Sequence, residues 1–175
     1  MGEHPLVRAN EMMAFLAETM ESLLEQRIEK QKTGCEESRI ALQQEIREMA
    51  KEKKDGIIAL CYLRSEYITR THNFYMAYYD KEPFVEEEPQ CQYIDMSGYM
   101  GGLEEDFAII VREIEKKYIR VTAGEKEYLF EQYMDRLYRG FGLVLSNLVH
   151  EIKEERGIAL YYGGYMEEQT LIEYV

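Results

Sequence analysis

A histidine and a glutamate one helical turn apart are the first residues in this sequence that could perform chemistry. His150 and Glu154 are four positions apart, which places two side chains on the same face of a helix. Such a pair can hold a metal ion when further ligands converge on it. The segment HEIKEE lacks the His-Glu-x-x-His pattern of zinc proteases. The spacing therefore indicates a solvated helix face, and we predict no metal site.

The candidate nucleophiles are three cysteines, Cys35, Cys61 and Cys91. Their odd number and the lack of a Cys-x-x-Cys pair argue against a disulfide framework and a zinc site. Only Cys35, at a predicted helix start, has a setting that favours a thiolate, and no histidine lies near it in sequence. The segment GYMGGLEED places acids where a phosphate-binding loop would hold its ligand. We therefore predict no catalytic residue and no cofactor, and favour a protein that is not an enzyme.

Tyrosine is the compositional anomaly, with 15 residues in a chain that has no tryptophan. A tyrosine buries a large ring and keeps a polar tip, which suits interfaces and ligand pockets. Arg64 stands among tyrosines, and its guanidinium can stack on rings and bind a carboxylate or phosphate. Two interpretations stay open: a binding platform, or a structural sheet in which Arg64 pairs with Glu66 or Asp80. The candidate binding residues are Tyr62, Arg64, Glu66, Tyr75 and Tyr79.

The first 55 residues show a helical period that predicts an apolar seam for self-association. Pro5 suits the first turn of this helix, and Gly34 can end it before a second helix begins. We therefore predict a helical hairpin. The alternative is one helix of about 50 residues that tolerates Gly34 at a cost of about 1 kcal/mol. The seam consists of Leu6, Ala9, Met13, Leu16, Met20 and Leu23.

The segment YLRSEYITRTHNFYMAYYDK, residues 62–81, has the β-branched and aromatic residues of an antiparallel β-hairpin. A turn at Arg70 and Thr71 pairs Leu63 with Tyr78. Arg-Thr is poor chemistry for a two-residue turn, and a four-residue turn keeps the same parity. In either case the five candidate binding residues share one face of the hairpin. A slip of one residue would exchange the two faces.

Two further helices and two strands are predicted after the acidic loop EPFVEEEP. The first helix begins at Leu103. Thr122 and Glu125 form a capping-box pattern at the start of the second helix. The tail GIALYYGGYMEEQTLIEYV indicates two short strands around Gly163 and Gly164. The second helix carries the clearest apolar stripe in the chain, which consists of Phe130, Met134, Leu137, Phe141, Val144, Leu148 and Ile152.

Together these elements predict an α+β fold. An N-terminal helical hairpin is followed by an antiparallel β-hairpin, two further helices and C-terminal strands that join a small sheet. The length of 175 residues suits a single domain over 1–175, in which residues 1–55 form a helical arm and residues 56–175 a mixed body.

Residues 57–95 carry a resemblance to known proteins. The segments YLRSEYIT, YMAYYDK and CQYID resemble those of a family of small, uncharacterised bacterial proteins with a Leu-Arg-Ser strand and a hairpin that ends in Tyr-Asp. The resemblance implies the hairpin and a bacterial source, and it implies no function. Arg70 stands where the resemblance leads us to expect a glycine in the turn.

Composition and charge limit the possible partners. With 46% hydrophobic and 31% charged residues the chain is globular, and its net charge of −13 repels phosphate backbones, so we expect no nucleic-acid partner. A third possibility, a protein that mimics nucleic acid and inhibits its binding partners, has only the negative charge to support it.

No apolar run approaches the about 18 residues of a membrane span, and no signal peptide is evident. We therefore predict a non-catalytic cytoplasmic protein–protein interaction module and homodimer. The alternative is a small anionic-ligand binder or minor enzyme with a tyrosine-lined pocket around Arg64.

Overall fold

The structure is a computed structural model that describes residues 5–33, 36–85, 89–152 and 157–175. Two helices come first, α1 (Pro5–Thr33) and α2 (Glu36–Ala50). The N-terminal region therefore forms two helices and not one long helix. Gly34 and Cys35, where the turn was predicted, lie outside the described residues.

The strands and the remaining helices follow along the chain. Strand β1 (Asp55–Tyr62) leads through a short helix α3 (Ser65–Thr69) to β2 (Asn73–Tyr79) and β3 (Gln90–Asp95). The helices α4 (Ser97–Met100), α5 (Leu103–Lys117) and α6 (Ala123–Val149) follow. A 3₁₀ turn (His150–Ile152) leads on toward β4 (Gly157–Gly164) and β5 (Gln169–Tyr174).

The five strands form one mixed sheet in the order β3-β2-β1-β4-β5. β1 pairs with β2 in antiparallel fashion on one side and with β4 in parallel fashion on the other. β5 adds to β4 as an antiparallel neighbour. The predicted α+β fold, with an antiparallel hairpin and C-terminal strands that join the sheet, is confirmed.

The predicted turn and register of the hairpin are wrong. β1 ends at Tyr62, which lies opposite Phe74, because the segment SEYIT forms helix α3 and does not continue the strand. The pairing of Leu63 with Tyr78 is replaced by a register in which Tyr78 faces Ile58. The register of β1 against β2 therefore differs from the predicted one by an odd number of residues. As a result, the β1 residues that were predicted to share a face with a given set of β2 residues lie on the opposite face of the sheet.

Two residues of the α3 region explain why SEYIT forms a helix and not a strand. The Glu66 carboxylate accepts hydrogen bonds from the Thr71 hydroxyl and, at 3.0 Å, from the Asn73 backbone N–H, so it ties the helix to the start of β2. Arg70 ends α3 in the left-handed conformation, with φ 55°. Glycine adopts this conformation without steric cost, which accounts for the expectation of glycine there.

The chain divides into two compact units. One consists of Met1–Lys30 and Gly102–Tyr138, and the other of Gln31–Gly101 and Arg139–Val175. The organisation of residues 1–175 as one domain, with an arm over 1–55 and a body over 56–175, remains a prediction.

The first unit contains a helical core and a buried polar network. Most of the predicted seam is buried within the chain, including Leu16 and Met20. The Arg27 guanidinium binds the Asp106 carboxylate through two nitrogens, at 2.9 and 2.7 Å, and it also donates to the Gly102 carbonyl at 2.9 Å. The Tyr133 hydroxyl donates to the same carboxylate at 2.7 Å. The network satisfies polar groups that would be costly to bury alone.

The predicted capping box at the start of α6 is confirmed. The Thr122 hydroxyl accepts from the Glu125 N–H at 3.2 Å, and the Glu125 carboxylate accepts from the Thr122 N–H at 2.7 Å. Arg8 lies 3.2 Å from the same carboxylate. Burial alone would raise the pKa of Glu125, but the hydrogen bonds from Thr122 and the charge of Arg8 outweigh burial and lower it.

The second unit packs α2 and the last turns of α6 against one face of the sheet, which we call the inner face. Gln43 of α2 donates to the Leu148 carbonyl of α6 at 2.7 Å. Phe141 of α6 meets the Phe74 ring at 6.1 Å, and it is fully buried, as predicted. The aromatic rings of this core are Tyr62, Phe74, Tyr99, Phe141 and Tyr162.

Candidate protein-interaction surface

The opposite face of the sheet, the outer face, presents small residues at its centre. Ala59, Cys61 and Ala77 occupy neighbouring positions on β1 and β2, where they are fully buried. Tyr75 and Phe84 pack against them. Small side chains at the centre therefore let large rings lie flat against the sheet.

Five aromatic residues form a continuous chain of rings on this face. Each neighbouring pair of ring centroids lies 5.2–5.8 Å apart, and each pair meets edge to face, the geometry that aromatic pairs prefer. We call this set the outer aromatic cluster. In spatial order it consists of Tyr93, Tyr75, Tyr165, Phe84 and Tyr79.

Two tyrosines of the outer aromatic cluster are exposed. Tyr93 on β3 is 68% exposed, and Tyr165, which follows β4, is 42% exposed. Tyr79 is buried beneath Phe84. The cluster thus has a packed base that fixes its geometry and an accessible tip that a partner can contact. Fixed aromatic rings with accessible edges are typical anchors of protein interfaces.

Backbone strain accompanies this cluster in both loops that support it. Phe84 has φ 63°, and Met166, the residue after Tyr165, has φ 58°. Residues other than glycine pay a steric cost in this conformation. Strain of this kind persists only where the surrounding structure enforces it, and it concentrates at functional sites.

Three ionisable groups on the outer face, those of Tyr75, Tyr79 and Cys61, are held in their neutral forms. Burial raises the pKa of Tyr75, and contact with Cys91 adds to the effect. Burial likewise raises the pKa of Tyr79, and it raises the pKa of the Cys61 thiol to about 12. Because a thiolate is the reactive form of cysteine, Cys61 is a packing residue and a poor nucleophile. The outer face therefore offers aromatic rings, and no reactive thiol at Cys61, to a partner.

The structure brings together two of the five predicted binding residues. Tyr75 and Tyr79 belong to the outer aromatic cluster. Tyr62 lies on the inner face beside Tyr162, with a ring distance of 5.8 Å. Glu66 is buried in α3 and binds the start of β2. The predicted common face is therefore divided between the two sides of the sheet.

Arg64 lies just after the end of β1, and not in the middle of a strand as expected. Its guanidinium is 72% exposed and binds Glu167 at 2.6 Å. One of the two open interpretations paired Arg64 with an internal acid such as Glu66 or Asp80; its partner is instead Glu167, because the β4–β5 connection lies beside the end of β1. Glu167 follows Tyr165 by two residues, so this ion pair borders the outer aromatic cluster.

Three members of the outer aromatic cluster were not predicted from the sequence. Tyr93 had a weak signal, as an aromatic residue in a short segment that could form a strand. Phe84 is the one aromatic residue in the acidic loop between Pro83 and Pro89, and Tyr165 follows a Gly-Gly pair. Large apolar residues in otherwise polar or glycine-rich connections were therefore the usable signals.

Neither the metal hypothesis nor a membrane span gains support from the described residues. His150 lies 3.4 Å from Glu173, and Glu154 lies outside the described residues. Within those residues, no group of three His, Cys, Asp or Glu side chains converges as a metal site would require. None of the helices that the structure describes combines the length and the apolar character needed to cross a membrane.

Comparison with known proteins adds no assignment to these observations. No family model matches the chain, and searches of the curated proteins and of the solved structures find no match.

Proposed function

We propose that this protein is a non-catalytic interaction module that binds a partner protein through the outer aromatic cluster. The exposed rings of Tyr93 and Tyr165, on a base formed by Tyr75, Phe84 and Tyr79, are the observation that supports the proposal. Rigid rings give contact area at a low cost in conformational entropy.

The charge around the cluster favours a basic partner surface. The loop that contains Phe84 also contains Glu82, which is exposed. The whole chain carries a net charge of −13. A field of one sign speeds association with an oppositely charged protein and repels nucleic acid. The proposed partner therefore combines an apolar patch with a basic rim.

The wider proposal keeps the cellular setting predicted from the sequence. The protein acts in the cytoplasm, without a nucleic-acid partner, and it self-associates as a homodimer. Of the five residues proposed first, Tyr75 and Tyr79 form part of the packed base that holds the exposed rings. Tyr62 and Glu66 support the sheet and α3, and Arg64 contributes a charge at the border.

A binding site for a small anionic ligand at Arg64 is the weaker candidate. The guanidinium already binds Glu167 at 2.6 Å and is 72% exposed, so an anion has to displace a carboxylate in a highly solvated place. Exposed ion pairs exchange their partners at little cost, but they also bind weakly. Thermal unfolding in the presence of phosphate and of dicarboxylates tests this candidate directly.

The main proposal is tested by comparative capture followed by titration. Immobilised protein is exposed to cell lysate, and retained proteins are quantified for the wild type, a Tyr93→Ser/Tyr165→Ser double variant and the control Ile68→Ser. Ile68 is 73% exposed on α3 and is not in the cluster. We expect a retained protein that the double variant loses and the control keeps, and that binds the purified wild type in calorimetry. Equal retention by all three proteins would exclude the outer aromatic cluster as the binding surface.

A further inference from the structure

Strand β5 leaves one edge of the sheet open. It is the end strand of the order β3-β2-β1-β4-β5, and within the described residues no strand pairs with its outer edge. Its sequence, QTLIEY, contains neither the lysine nor the proline with which proteins commonly protect such edges. Apart from the Tyr174 N–H, which donates to the Glu173 carboxylate at 3.2 Å, the backbone groups along this edge can therefore pair with another strand.

An apolar cleft runs beside this edge, between β5 and the last part of α6. Leu143 on the helix is 68% exposed, and Leu171 on the strand is 41% exposed. Gly142, which also lines the cleft, lets α6 lie close to the sheet, because a Cβ there would meet the Tyr162 ring at 3.3 Å. Two exposed leucines on either side of an open strand edge form an apolar strip that a docked chain would bury.

The helix side of the cleft differs in charge from the rest of the chain. The segment 139–150, RGFGLVLSNLVH, contains no acid, in a protein with 34 Asp and Glu residues. Arg139 lies 3.9 Å from Glu167, just before β5, and His150 lies 3.4 Å from Glu173, near its end. The helix segment and β5 therefore run in the same direction, and each end of the cleft holds a cation beside a carboxylate.

We propose that this edge binds a second copy of the chain, with β5 pairing to β5 in antiparallel fashion about a two-fold axis. The five-stranded sheets of two copies then join into one continuous sheet. The inference rests on the self-association included in the proposed function, and it names the surface that carries it.

The charges along the β5 edge favour a second copy of the chain as the binding partner, because the edge is complementary in charge to itself when two copies are antiparallel. An antiparallel pair places the start of one β5 beside the end of the other, so Arg139 of each copy approaches Glu173 of the second copy. Glu173 lies away from the centre of the strand, so no two carboxylates face each other across the axis. Opposite charges that meet twice are the signature of an isologous interface.

The other edge of the sheet is less suited to pairing between copies. β3 carries Gln90, Gln92 and Asp95, and the Gln92 amide already binds Glu45 of α2 at 2.8 Å. Its large exposed apolar side chain, Tyr93, belongs to the outer aromatic cluster. Partner binding and self-association therefore use different strands.

The test is the molar mass in solution by light scattering at micromolar concentration, with circular dichroism and thermal unfolding to confirm that each variant folds. We expect two chains for the wild type. Leu143→Lys and Leu171→Lys should each raise the dissociation constant by roughly tenfold or more, because they place a charge in the apolar strip. Arg139→Glu should weaken the dimer, and the charge exchange Arg139→Glu/Glu173→Arg should restore it. The control Ile68→Lys should leave the mass unchanged.

A monomeric wild type would overturn both this inference and the proposed self-association. A dimer that survives Leu143→Lys and Leu171→Lys would overturn the β5 surface alone and leave self-association in place. Failure of the charge exchange to restore the dimer would contradict the antiparallel arrangement. Because Tyr93→Ser/Tyr165→Ser leaves β5 intact, that variant should remain a dimer, which separates this result from the test of partner binding.

Discussion

Arg27 and Asp106 form a buried ion pair held by two hydrogen bonds, at 2.9 and 2.7 Å, with both side chains less than 10% exposed. Asp106→Ala removes the acceptor shared by Arg27 and Tyr133 and strands a buried cation. We expect a loss of about 3–5 kcal/mol in the free energy of unfolding, measured with urea. The matched control is Glu113→Ala, which breaks the exposed pair with Lys116 at 2.6 Å and should cost less than about 1 kcal/mol. Equal losses in both variants would contradict a special role for burial.

Phe141 lies at the centre of the inner aromatic core, with its ring 6.1 Å from Phe74 and 5.3 Å from Tyr99. Phe141→Ala should cost about 3–5 kcal/mol, because it leaves a cavity between α6 and the sheet. Leu143→Ala, two residues further on the same helix and 68% exposed, should change the free energy of unfolding by less than about 0.5 kcal/mol. A loss below about 1 kcal/mol for Phe141→Ala would contradict the described packing.

Arg64 is the residue for which the two sequence interpretations differ most. Its ion pair with Glu167 is largely exposed, so Arg64→Ala should change the free energy of unfolding by less than about 1 kcal/mol. Denaturant unfolding and partner titration on the same variant separate the roles. A loss of several kcal/mol would indicate a structural residue, whereas weaker partner binding at unchanged stability supports a border contact of the outer aromatic cluster.

Arg70 ends α3 with φ 55°. Arg70→Gly should stabilise the fold by up to about 1 kcal/mol, because glycine accepts this conformation without a clash between its side chain and the backbone. The greater freedom of glycine in the unfolded chain offsets part of that gain. Arg70→Ala keeps the steric cost, so it is the control. A variant with glycine that melts below the alanine variant would contradict the left-handed geometry.

We expect the free energy of unfolding to fall at alkaline pH because the Cys61 thiol is buried. Its folded pKa is about 12, whereas an unfolded thiol ionises near a pH of about 8.5. The folded state therefore holds the proton more tightly, and this stabilisation is complete below pH ~8.5 and is lost as the pH rises toward 12. Urea unfolding between pH ~7 and ~10 should show the decline, and Cys61→Ala should make it shallower. A decline that is as steep in Cys61→Ala as in the wild type would contradict this account.

The sequence predicted correctly those features that depend only on residues close together in the chain. Thr122 and Glu125 are three residues apart, so their capping box depends on neighbouring residues alone, and it is present as predicted. The stripe of α6 likewise gave the buried residues of that helix, including Phe141. The hairpin register failed because SEYIT can form either a strand or a helical turn. Glu66 and Arg70, through contacts with the start of β2 and a strained backbone, select the helix.

The candidate surface depended on contacts between distant segments. Tyr75 was found because it lies in a tyrosine-rich strand. Its neighbours Phe84 and Tyr165 come from two loops about 80 residues apart in sequence, and they meet only because β4 lies parallel to β1. No periodicity within a single segment encodes that pairing, so the cluster could not be assembled from sequence pattern.

The parallel pairing of β1 with β4 also has a consequence for biosynthesis. A ribosome that has just made β1 and β2, which ends at Tyr79, must add about 78 more residues before β4 begins at Gly157, so one edge of β1 in the nascent hairpin stays unprotected. Such long-range pairs form late, and an open edge invites association with other nascent chains. We therefore expect binding to chaperones and loss to inclusion bodies to be greatest while residues 79–157 are translated, before β4 can complete the sheet.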